Sequence, residues 1–136
     1  MNNVSAVLGR FLLSAIFFVS AYRKFEDPAA VATSIAEATA KAPWVPEAVA
    51  LGVRDAAPLL AWAAITFEVL GAFCLVTGFK KELGAALLLI FLVPTTFLFH
   101  SPGDPAQQMQ FLKNVAIMGG LLLVVASGPQ GRDRAL

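Results

Sequence analysis

Long apolar runs, each broken by at most one charged side chain, set the rhythm of this chain. Residues 1–22 hold only Arg10, and 56–79 hold only Glu68. No Asp, Glu, Lys or Arg occurs from 83 to 103, and only Lys113 occurs from 105 to 131. A helix needs about 20 mostly apolar residues to cross a hydrocarbon core, and backbone in lipid must be hydrogen-bonded within its own segment. The pattern predicts four membrane-spanning helices, over 4–23, 57–78, 82–100 and 111–128. The fold class that follows is all-α, a four-helix bundle forming a single integral membrane domain over 1–136.

The edges of these runs carry stop signals. Gly78 ends the second run, and Phe79, Lys80, Lys81 and Glu82 make a very short turn, so the second and third spans are antiparallel neighbours. Ser101-Pro102-Gly103-Asp104-Pro105 breaks the chain after the third run, and Gly128-Pro129 stops the fourth. In the long first connection, Asp27-Pro28 before an alanine-rich run reads as an N-cap and a first-turn proline. Val31 and Ile35 give that run a weak apolar stripe, Pro43-Trp44-Val45-Pro46 interrupts it, and a second short helical run continues through Val53. Short interfacial helices are the expectation for this connection, with Trp44 at headgroup depth.

Composition strengthens the membrane reading. The chain is 58% hydrophobic and 14% charged, against about half and about a quarter in soluble domains. A formal net charge of +1 removes the basic surface that a nucleic-acid partner requires. One cysteine, Cys74, excludes an internal disulfide or a CxxC pair, and one histidine, His100, leaves no metal or haem cluster. No intrinsic cofactor is expected. With four spans, both termini share a side with Lys80, Lys81, Arg132 and Arg134, whereas the 101–110 loop has no Lys or Arg. Positive short loops face the cytoplasm, so both termini are expected there in a bacterial inner membrane. A cleaved leader is disfavoured, because Arg10 sits inside the apolar run rather than before it.

Three spans carry one ionisable residue each: Arg10, Glu68 and Lys113. A charge in hydrocarbon costs about 2.5–3.5 kcal/mol on insertion scales, so such residues pair or line a polar cavity. Arg10 shares a stripe with Ser14, Phe17, Ala21 and Lys24. Glu68 is flanked on its face by Ala61, Ala64, Gly71 and Leu75, small enough for close helix approach. The expectation is a central network of Glu68 with Arg10 and, from the other side, Lys113, with Asn114 beside it. Two readings stay open: a network that only sets helix register, or a functional polar pocket.

His100 ends the third span, after Pro94, which is expected to kink it. That places His100 at the same outer face as Arg23, Lys24, Lys113 and Asn114, where an imidazole can carry protons or hold a carbonyl oxygen. An ordinary interfacial histidine is the alternative. Cys74 reads as a small core residue. Of the eleven phenylalanines, Phe17 and Phe97 are placed near a ligand. No catalytic residue can be named from these patterns.

Taken in order, Leu8-Gly9-Arg10, Ser20 to Phe25 (SAYRKF), Glu68 with Gly71, Thr77-Gly78-Phe79, Phe97 to His100, Phe111 to Asn114 and Gly119-Gly120 resemble the DoxX family of small bacterial four-helix membrane proteins. The resemblance implies polar family positions at Arg10, Lys24, Glu68, His100, Lys113 and Asn114. It also implies a membrane partner of oxidoreductase systems. Some relatives are similar to the membrane subunit of a thiosulfate:quinone oxidoreductase, and others are linked to radical detoxification. A longer outer connection and the lack of a cysteine pair depart from the family pattern and argue against thiol chemistry. The leading functional expectation is a redox-associated membrane subunit whose pocket engages a quinone, within a larger redox membrane complex or a homo-oligomer, in lipid. The alternatives are a non-catalytic accessory or assembly subunit, or a small-solute or lipid transporter.

Overall fold

The computed structural model describes residues 3–128, all of whose regular structure is helical. Five helices follow one another: α1 (Asn3–Glu26), α2 (Pro28–Lys41), α3 (Glu47–Thr77), α4 (Lys81–Phe99) and α5 (Pro105–Ala126). Four of them, α1, α3, α4 and α5, are long and apolar enough to cross a membrane. Large apolar side chains such as Leu59 and Leu123 stand exposed around the outside, as a lipid-facing bundle requires.

The second span differs from expectation. The short run that ends at Val53 is not a separate interfacial helix but the first turns of α3, which runs unbroken from Glu47 to Thr77 through Pro58. A proline removes one backbone hydrogen bond, and twenty-odd other residues of α3 keep theirs. Because α3 and α4 leave the same tight turn, the first dozen or so residues of α3 overrun the end of α4 by about 18 Å at 1.5 Å per residue. α2 packs on this overrun, with Ala32 buried against Ala57 and Ala61 and with Val31 and Ile35 alongside. As the sequence implied, Asp27 caps α2: its Oδ1 accepts from the Ala30 amide at 2.9 Å, and Pro28 occupies the first turn.

The remaining boundaries have local causes. Gly78 takes a left-handed conformation with φ of 75°, and its amide donates to Cys74 O at 2.9 Å, closing α3. Asp104 starts α5 earlier than expected by accepting from the Ala106 amide at 3.0 Å, which shortens the loop after His100. α4 remains helical through Pro94 to Phe99. The Pro129 stop and the tail basic residues Arg132 and Arg134 lie outside the described residues.

Helix packing is closest between α3 and α4. A Cβ added to Gly71 would lie 2.5 Å from Leu88 Cγ, and one added to Gly84 would lie 2.5 Å from Cys74 Cβ. The two backbones therefore touch where small residues allow it. Phe17, Ala72, Leu75, Ala85, Leu88, Leu92 and Leu121 fill the centre of the bundle. α1 packs along α3, α5 along α4, and α1 meets α5 only locally.

Candidate functional site

The side chains of a helix lean toward its N-terminus, and this geometry chooses the partners of the intramembrane charges. α1 and α3 are antiparallel. Lys24 leans from the end of α1 back into the bundle, and Glu68 leans along α3 toward it. They meet as a forked ion pair: Lys24 Nζ donates to Glu68 Oε1 at 2.8 Å and to Oε2 at 2.7 Å. Ser20, one turn before Lys24, accepts from Nζ at 2.7 Å and donates to Glu68 Oε1 at 2.8 Å. The ammonium also stands 4.7 Å from the centre of the Phe91 ring, a cation–π contact. Side-chain exposure is 1% for Glu68 and 21% for Lys24, so the carboxylate is sealed and the ammonium looks into open space.

The expected pairing of Glu68 with Arg10 and Lys113 is thus corrected, and the lean of the side chains explains why. Arg10 points away from Glu68, toward the end of α3. Its Nε donates to Leu75 O at 3.1 Å, and the guanidinium packs beside Gly78. It neutralises a carbonyl left free at a helix C-terminus, where a cation is also favoured by the helix dipole. Lys113 leans toward the N-terminus of α5, again away from Glu68, and is exposed. Among the described residues, neither Arg10 nor Lys113 forms an ion pair.

Lys24, Glu68, His100, Lys113 and Asn114 nonetheless line one cavity of about 990 Å³ between the helices. Arg10 is not among its lining residues. Phe17 closes the cavity toward the bundle centre and is itself buried. Phe97, expected near a ligand, is 52% exposed on the outer surface and packs edge-on against Phe111. The aromatic lining comes from Phe67, Phe91 and Phe99, with Trp44 of the connection before α3; Phe67 and Phe91 did not stand out from the many apolar positions around them.

At the cavity mouth, His100 Nδ1 lies 2.9 Å from Gln107 Oε1. The imidazole can donate or accept at either nitrogen, according to its tautomer. Gln107 was not singled out by the sequence; the Asp104 cap places it in the first turn of α5, where it reaches His100. Asn114 Nδ2 donates to Thr96 Oγ1 at 3.1 Å, a buried tie between α4 and α5. Ser20 entered the sequence reading only as the first residue of the Ser20 to Phe25 segment. Among the described residues, no three His, Cys, Asp or Glu side chains gather as a metal site. The arrangement offers hydrogen-bond donors and acceptors at two depths of an aromatic-walled cavity, within the size range of small-molecule sites.

The DoxX family model matches residues 5–101. The inner membrane protein YqjF of Escherichia coli (strain K12) is 35% identical over 66 residues, covering 48% of this chain and 51% of that protein. The chain therefore spans about half the length of the curated relative it matches. No solved structure matches the chain. With the matched region running from the first span to the end of the third, and Lys24, Glu68 and His100 all inside it, the chain belongs to the DoxX family.

Proposed function

We propose that this DoxX protein is a multi-pass membrane subunit of an oxidoreductase system whose cavity holds a quinone-like ring. The observation that carries the reading is the cavity itself: aromatic walls from Phe67, Phe91 and Phe99, with Lys24 on one side and His100 and Lys113 at the mouth. Two carbonyl oxygens on opposite sides of a flat ring require donors at two separated points. One N–H of the Lys24 ammonium turns from the Glu68 pair to supply the first, and His100 or Lys113 supplies the second. Glu68 holds the Lys24 ammonium in place, and His100 exchanges a proton with the ring oxygen it contacts. Electrons come from a partner protein, because the chain's own side chains carry no redox group of this kind.

The same reading treats the chain as a single membrane domain of the inner membrane, with both termini on the cytoplasmic side. Lys80 and Lys81 lie at that end of the bundle. The cavity mouth and α2 then lie at the opposite surface, with Trp44 and α2 at headgroup level.

The test is equilibrium binding of a decyl-substituted benzoquinone to the protein in nanodiscs. Wild type retains the ring above empty nanodiscs, and His100→Ala weakens retention by about tenfold, the loss of one well-formed hydrogen bond. No retention by wild type would contradict the reading. A second reading, a non-catalytic assembly subunit, draws on the α2–α3 hairpin that overruns α4 and projects as a handle for another protein. It is favoured if a complex co-purifies and keeps its function after Glu68→Gln.

A further inference from the structure

α1 and α5 touch at one level and part at the next. A Cβ added to Gly120 would lie 3.0 Å from Leu13 Cδ2 and 3.3 Å from its Cδ1, so the seam between the helices is shut there. One to two turns further along α1, Ile16 and Val19 border the cavity on one side, and Lys113 and Ile117 of α5 border it on the other. Val19 is 54% exposed and Ile16 is also exposed. Among the described residues, the α1 backbone makes no approach to α4 that would fill the space behind them. At the water-side end the cavity is different: α2 lies across it, contributing Val31 and Ile35 and touching α4.

This opening sits deep. Ser20, next to Val19, contacts Glu68, and Glu68 lies nine residues, about 14 Å, from the end of α3. That is near the middle of a hydrocarbon core about 30 Å thick. A side opening at this depth, rimmed by Ile16, Val19 and Ile117, faces acyl chains rather than water.

We propose that the gap between α1 and α5 is a lateral portal, through which a bilayer-dissolved amphiphile enters head first and leaves its hydrocarbon tail lying between Ile16, Val19 and Ile117. The inference rests on the ring-binding reading above and narrows its ligand to molecules with a long flexible tail. Apolar contact along the rim contributes affinity in proportion to the tail surface covered, while Lys24, His100 and Lys113 take the head. A water-soluble ring without a tail gains nothing from the rim.

The test compares two ligands, a tail-less benzoquinone and the same ring with a decyl chain, each corrected for its partition into empty nanodiscs. Wild type binds the decyl ring at least about tenfold more tightly than the tail-less one. In the Ile16→Trp/Val19→Trp variant, both positions are exposed, so the fold tolerates the bulk while the portal is obstructed. The tail-dependent tenfold is lost there, and tail-less binding stays. Leu123→Trp, on a lipid-facing position away from the portal, keeps the full tail dependence, and thermal unfolding confirms that both variants are folded. Equal affinity of wild type for the two rings, or undiminished tail dependence in the obstructed variant, overturns the portal and leaves the ring site standing. Failure of both rings to bind wild type overturns the ring site and the portal together.

Discussion

Arg10 and Lys24 sit on one stripe of α1, carry the same charge, and do different jobs. Arg10 ties off the end of α3 through Leu75 O, and Lys24 satisfies both oxygens of Glu68. Arg10→Met is therefore expected to lower stability by about 1.5–3 kcal/mol, the range for a hydrogen bond to a charged group, and to leave ring binding unchanged. His100→Ala is expected to do the reverse. Thermal unfolding in detergent, set beside nanodisc binding, separates the two; equal effects of Arg10→Met and His100→Ala on binding would refute the division of roles. The residue types of the cluster were legible from the sequence, since any charge inside a span has to be paired or to face a cavity. The partner of Glu68 was not. Depth along each helix axis is only half of the geometry, and the lean of the side chain toward its own N-terminus reverses the choice between Arg10 and Lys24.

Elements were easier to read than partners. Gaps between charges locate spans because each removes about 20 residues from water at once, and that signal hardly depends on tertiary contacts. The α2 cap was equally local, needing only Asp27 and Pro28. The second short run before Val53 was read as separate because the apolar gap opens only after Arg54 and Asp55, yet α3 runs through both charges from Glu47. Contacts between elements depend on residues that look ordinary in sequence. Gly84 was not singled out, although its lack of a side chain lets α3 and α4 meet. Gly84→Val is expected to cost at least about 1–3 kcal/mol by overpacking, because the blocking atoms are Cys74 Cβ and the Gly71 carbonyl. Gly9, with open space around it, is expected to accept Val with a change of no more than about 0.5 kcal/mol. Equal losses at the two glycines, measured by thermal unfolding, would refute close packing at the α3–α4 crossing.

At the scale of the molecule, one bundle combines a tight centre with a cavity toward one end. Phe17 and the leucines of α3, α4 and α5 fill the tight part. The cavity exists because α1 follows α3, α5 follows α4, and the two pairs diverge beyond Leu13 and Gly120. The Lys24–Glu68 pair stands on the wall of that divergence, so the proposed ring site depends on the pair being formed. Removing Lys24 alone strands a carboxylate with almost no access to water. Removing Glu68 alone leaves an ammonium that can turn toward the open cavity, so Lys24→Met is the more damaging single change. The most direct measurement is a double-mutant cycle on stability with Lys24→Met, Glu68→Gln and the double variant. A buried, forked pair predicts that the double variant is less destabilised than the sum of the singles by at least about 1 kcal/mol, within the range for contacting residues. Additivity within about 0.3–0.5 kcal/mol, the behaviour of independent sites, would mean that the two charges do not meet.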